Sequence, residues 1–322
     1  MKVFKLSGHT MAFLSIFGLA LLFTACGTDT TGGTTGLPPA TTATKTATTQ
    51  TGTVVPTSTT TSSGTDSGQG VTFTYASVKY TLLSVEQKST FSDDDDSSAP
   101  QHVRINLKEE NTYADTAFIF YSDSIRLILP NNTTVTPNKE QDSTPISQGV
   151  ARTNWIDFPV PSQQTLSSLV VQFGTATEYQ FLIPLSAHPN LSKYQDKSVS
   201  PNATLHYKID WKLLKATSSF SYADHQADKG KKYILIDLQA DNSTSDAFFP
   251  FPTDNFRLKA GGESQAPKAV DSSLSGSIAA NSTGTKGTVA FLVPADATSF
   301  TLDFLAQPSE KIDEATATFT LS

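Results

Sequence analysis

The stretch Val103-Arg104-Ile105-Asn106-Leu107 recurs as Ile234-Leu235-Ile236-Asp237-Leu238, 131 positions further along a chain of 322 residues. The same offset carries Asn111 to Asn242, Asp115 to Asp246, Phe118 to Phe249, Phe120 to Phe251, Asp123 to Asp254, and Arg126-Leu127 to Arg257-Leu258. Phe158-Pro159-Val160-Pro161 meets Phe291-Leu292-Val293-Pro294 at an offset of 133, and Phe173 meets Phe304 at 131 again. Small insertions between matched segments are what loops tolerate. A repeat of this length predicts two structurally equivalent domains, over 71–186 and 202–322, joined by a linker over 187–201.

The repeated segments alternate apolar and polar residues with period two, as in His102 to Lys108 and Leu205 to Asp210. This is the pattern of half-buried strands in antiparallel sheets. No window of ten residues sustains a helical period, so helices should be short or missing. Each copy offers roughly 120 residues and about seven short strands, the signature of an immunoglobulin-like β-sandwich. With a single cysteine in the chain, no intramolecular disulfide can form, and each core must rest on packing. A domain of this size buries about 65% of its unfolded surface, enough to fold without staples.

Each copy has a strand ending in Asn (Asn111, Asn242), then Asp-x-Ile/Phe-Arg-Leu (Asp123 to Leu127, Asp254 to Leu258), then a strand closing on Phe-x-Val-Pro. This order resembles the uncharacterised immunoglobulin-like domains of bacterial secreted lipoproteins, which often follow a lipobox and a Thr/Ser linker. Copy two has Gly261-Gly262 after its Asp-containing strand, where such domains often place glycine; copy one has Pro130-Asn131-Asn132 instead. The family implies no catalytic residues.

The N-terminus fits that setting. Lys2 and Lys5 precede a thirteen-residue apolar run from Met11 to Phe23, short of the about 20 residues a spanning helix needs, so residues 1–25 read as a secretory signal peptide. The run ends Leu22-Phe23-Thr24-Ala25-Cys26-Gly27, which resembles a lipobox, with Cys26 as the lipidated residue that becomes the new N-terminus. Residues 26–70 hold that cysteine and a Thr/Ser/Gly-rich tether with too little apolar surface to fold. Removing two lysines takes the formal charge from −7 to −9, so the expected membrane partner is engaged through lipid and not through basic residues. The same acidity argues against nucleic acid.

The chemical inventory is thin. Both methionines, Met1 and Met11, lie in the signal and the one cysteine would be acylated, which excludes soft-metal and redox centres; no cofactor is expected. His102, His188, His206 and His225 show no zinc spacing, and neither G-x-S-x-G nor S-x-x-K is present. The shared Asp123/Asp254 and Asn111/Asn242 are expected in turns, and Arg126/Arg257 facing solvent or paired with an acid. Phe248-Phe249-Pro250-Phe251-Pro252 could form an aromatic platform. Because Phe249 and Phe251 align with Phe118 and Phe120, however, all four are expected in the core, leaving Phe248 facing outward. Asp93-Asp94-Asp95-Asp96 is the densest charge. Calcium would relieve its repulsion, with Glu86 or a carbonyl completing the site, but the run lacks alternating spacers, and a solvated loop is favoured. The second copy offers only Asp224 and Asp228 there. The sequence thus predicts an all-β, extracytoplasmic, lipid-anchored protein of the cell surface or outer membrane. Its expected role is non-catalytic binding or adhesion toward a protein or glycan. The alternatives are a structural spacer without ligand and an enzyme of unknown reaction.

Overall fold

The computed structural model describes residues 70–93, 98–186, 188–261 and 266–321. Residues 1–69, which hold the expected signal peptide, Cys26 and nearly all of the expected tether, lie outside them, as do Asp94 to Asp96. The described chain is all-β, with two α-helices of four residues each, Tyr121–Ser124 and Pro252–Asn255.

The first half packs two antiparallel sheets face to face. One carries, in order, Val71–Tyr75, Val78–Lys88, Gln101–Asn111, Ala151–Val160 and Lys139–Glu140. The other carries Thr134–Val135, Ile125–Ile128, Val170–Phe173 and Phe181–Pro184. Alternate residues of both sheets meet between them: Phe73 touches Phe173 edge-on at 4.7 Å, and Tyr80 lies 5.0 Å from the same ring. The second half repeats the plan. Lys197–Val199 and Ala203–Tyr207 both pair with Ile209–Ser219, followed by Lys231–Asn242, Ser282–Pro294 and Ala269–Ser272. Phe256–Ala260, Ser299–Phe304 and Ala315–Thr320 form the facing sheet. Two separate hydrophobic clusters result, one per half.

Details recur at the predicted offset. A β-bulge interrupts the ladder between Leu82 and Ser84 in one copy and between Leu213 and Lys215 in the other. Leu127, Leu258, Phe173 and Phe304 are all buried, as expected. The copy-one turn Pro130-Asn131-Asn132 places Asn132 at φ 63°, a left-handed conformation that asparagine tolerates.

Asn111 and Asn242 do more than close a turn. Each is buried, and its amide nitrogen donates to two backbone carbonyls: Asp115 and Ile146 in copy one (both 2.7 Å), Asp246 and Ile278 in copy two (2.9 and 3.2 Å). Their side-chain oxygens accept from the Tyr113 and Thr244 amides. These clamps hold the bridges Ala117↔Ile146 and Phe248↔Ile278. Asp123 and Asp254 sit in the short helices that follow. Arg126 and Arg257 are partly exposed, and each caps its own turn, donating to the carbonyls of Ser122 and Ile125, and of Thr253 and Phe256.

The cores differ in chemistry. Copy one buries Glu109, which accepts from Tyr121 Oη (2.6 Å) and from Arg152 Nε (2.8 Å), with Asn154 donating to the Tyr121 oxygen. Burial, and then the Glu109 charge, push the Tyr121 hydroxyl far above its ordinary range. The matching positions of copy two are Ala240, Pro252, Thr285 and Gly287. Trp211 takes the place of Tyr80 and fills the space. A side chain at Gly287 would approach the Leu274 backbone to 2.6 Å, so the apolar version of the core requires glycine there.

The segment expected as a linker is folded. Leu191 and Tyr194 complete the first core, while Lys197–Val199 joins the second sheet. The hairpin Ser221–Tyr222/His225–Gln226 closes the seam between the halves: Phe220 stacks on Tyr179 at 3.9 Å, Gln226 donates to the Tyr179 carbonyl, and the Tyr179 amide donates to Ala227 O at 2.7 Å.

Candidate exposed aromatic platform

After the clamped bridge in each copy the chain runs extended toward the four-residue helix. Its side chains alternate. Ala117 and Tyr121 point inward, with Ile119 partly buried between them, whereas Phe118 and Phe120 are 62% and 66% exposed. In copy two Phe248 and Pro250 point inward, and Phe249 and Phe251 are 50% and 57% exposed.

This corrects the expected core. The alignment of the four phenylalanines holds, but they share an exposed position and not a buried one, and Phe248 lies in the core (6% exposed). The proline-containing stretch is not part of a ladder strand. It leaves the sheet after the Phe248↔Ile278 bridge, so Pro250 and Pro252 withhold no ladder hydrogen bond. The physical reason is parity. Both faces of Ala117-Phe118-Ile119-Phe120-Tyr121 are apolar, so alternation alone cannot say which set faces in, and a slip of one residue inverts every side chain. The buried asparagine clamps settle it by fixing Ala117 and Phe248 inward.

The copy-two rings stack, 6.2 Å apart with 21° between planes. Phe251 adopts φ 43°, ψ 63°, a left-handed conformation that costs a bulky residue about 1–2 kcal/mol. The helix it leads into packs against Ala269–Ser272, where Val270 is also exposed. Each pair is flanked by exposed carboxylates, Asp115 and Asp123 in one copy and Asp246 and Asp254 in the other. The surface offers apolar, stackable rings with an acidic rim.

The remaining candidates resolve into structural contacts. Arg104 lies between the rings of Phe91 and Trp155, 3.9 and 3.8 Å from their centroids, with two hydrogen bonds to Asp157 (2.8 and 2.7 Å) and two to Asp93 (both 2.8 Å). Burial acts to lower the guanidinium; these carboxylates outweigh it and raise it. Asp93 is therefore committed to holding its loop against the sheet, and Glu86 is committed to Lys88 at 2.7 Å. Asp94, Asp95 and Asp96 lie outside the described residues, and no group of three potential metal ligands occurs among the described ones. His102 is buried with Nδ1 3.2 Å from Ser89 O; His206 pairs with Asp210 at 2.8 Å and His225 with Asp224 at 3.3 Å. His188 borders a shallow surface depression near Gly70.

The sequence did carry a signal for the internal polar network, since Glu109, Arg152 and Asn154 occupy the inward parity of their strands. It carried none for the grouping of Arg104 with Phe91 and Trp155, which come from separate segments. No protein-family model, curated protein or solved structure shows a significant match to the chain.

Proposed function

We propose that the chain is a lipid-anchored extracytoplasmic protein whose two immunoglobulin-like sandwiches form a non-catalytic binding or adhesion module. Phe118, Phe120, Phe249 and Phe251 are its contact residues toward a protein or glycan. One observation carries this reading: both copies, despite different cores, leave the same two phenylalanines in water. Burying such a ring is worth about 1.5–3 kcal/mol, and strain at Phe251 adds a cost that folding does not recover. Duplicated exposed apolar surface of this kind marks interaction sites.

The test is retention of the full-length protein on arrays of glycans and envelope proteins. Replacing all four phenylalanines by serine should leave folding intact, as surface changes generally do, and cut retention by about tenfold or more. Phe251→Gly separates the two roles: it should raise stability by about 1 kcal/mol, because glycine accepts the left-handed conformation freely, while weakening retention. Equal retention by wild type and the serine variant, or none by either, sinks the binding role and leaves the spacer. The anchor is tested separately. Cys26→Ser should abolish fatty-acid labelling in the producing cell, and unchanged labelling would refute it.

A further inference from the structure

A second feature, independent of the aromatic pairs, lies where the two sandwiches meet. The turn Ser192–Tyr194 leaves the first core, and Lys197–Val199 then pairs with Ile209–Ser219 of the second sheet, Lys197 opposite Ser218. Beside this crossing is a cavity of about 150 Å³ whose walls include Lys193, Lys197, Lys232, Ser218, Ser219 and Thr298. Three lysines thus line one small space in a chain of formal net charge −7.

Lys232 is the informative member. It is only 8% exposed, and its Nζ donates one hydrogen bond, to Ala297 O at 2.6 Å. An ammonium group carries three donors; beyond this bond the Nζ has, among the described residues, only the Phe300 ring, 5.9 Å away, so donor capacity is left unspent. None of the three lysines makes an ion pair among the described residues. Burial, and then Lys197, push Lys232 below its ordinary range, with Asp296 acting more weakly in the opposite direction. Asp196, the other nearby acid, is hydrogen-bonded to the wall residue Ser219; burial raises its carboxyl, against the weaker opposing effects of Ser219 and Lys215. Lys193 lies over the Tyr194 ring, 4.6 Å from its centroid, and so projects from the first core, while Lys232 belongs to the second sheet.

We propose that this cavity is an anion site for a single phosphate group, free or at the end of a phosphorylated molecule. Its volume leaves room for one tetrahedral oxyanion and its closest waters. Lysines act as point charges toward phosphate, whereas planar carboxylates are best held by the fork of arginine, and no arginine lines the walls. Three cations suit a dianion better than a monoanion. A bound phosphate would also link Lys193 of one sandwich to Lys232 of the other across the seam.

The experiment titrates full-length protein with inorganic phosphate, glycerol 3-phosphate or acetate against chloride at constant ionic strength, following Tm and binding heat. Phosphate should raise Tm saturably by mass action on the native state, with a Kd of about 1 mM or tighter. Acetate should do much less. An equal response to glycerol 3-phosphate assigns the site to a terminal phosphate, and a response to inorganic phosphate alone assigns it to the free ion. Lys193→Gln/Lys197→Gln changes exposed positions and should fold normally, but bind about tenfold or more weakly. Lys197→Gln alone should show part of that loss without touching the Tyr194 contact. A rise that does not saturate, or that is equal in the double variant, is the general salting effect of phosphate and overturns the site. So does the absence of any response, or acetate matching phosphate.

Discussion

Replacing Arg152 with methionine is expected to destabilise the protein by about 3–5 kcal/mol, the usual cost of leaving a buried charge without its partner. Glu109 is fully buried, and Arg152 Nε, 2.8 Å away, is the cation that pairs with it. Tyr121 and Asn154 would still donate to Glu109, but neither is charged. Arg152 also binds Asp142 at 3.0 Å and the Thr144 carbonyl at 2.8 Å, so the loop over 142–144 should loosen as well. Adding Glu109→Gln to the variant should recover much of the loss, since it removes the unpaired charge while the amide oxygen still accepts from Tyr121 Oη. Urea unfolding with unchanged slope and a lowered midpoint reads this out. A cost below about 1 kcal/mol would mean the pair behaves as a surface contact, and the description of the first core would be wrong.

Trp211→Ala should cost about 3–5 kcal/mol in the second core. The indole is fully buried, nearly perpendicular to Phe256 and Phe304 at 5.7 and 5.3 Å, and its Nε1 donates to Tyr207 O at 3.3 Å. Edge-to-face contacts of this kind add to the area buried. The chain has two tryptophans, and Trp155 lies on the first sandwich against Arg104. In Trp211→Ala, Trp155 fluorescence therefore follows the first sandwich alone. If the halves are separate domains, circular dichroism should show an early transition that Trp155 does not report. The Trp155 midpoint should stay near its wild-type value. A single coincident transition would mean that the seam through Phe220, Tyr179 and Gln226 makes the halves one cooperative unit.

Much of the architecture was legible in the chain because sheet structure writes itself locally. Period-two alternation in Val103 to Leu107 and in Ile234 to Leu238 follows from successive side chains pointing to opposite faces, and the fixed offset shows that the pattern occurs twice. Burial of Leu127, Leu258, Phe173 and Phe304 follows from the same rule, because their strand neighbours are polar or partly exposed. Glu109 on the inward parity was legible too, as a polar group that must find partners inside.

The sequence by itself determined the β class, the duplication and the strands that build each core, since these depend on residues close together in the chain. Tertiary structure alone decided which face of 117–121 and 248–252 meets water. Every residue there except the prolines is an apolar candidate for the core, and the choice is made by Asn111 and Asn242 reaching carbonyls some 35 residues away. It also decided that the segment after Leu185 belongs half to each sandwich, and that Lys193, Lys197 and Lys232 share one cavity. Their meeting is set by how two sheets abut, and a contact between distant segments leaves no periodicity in the chain to be read.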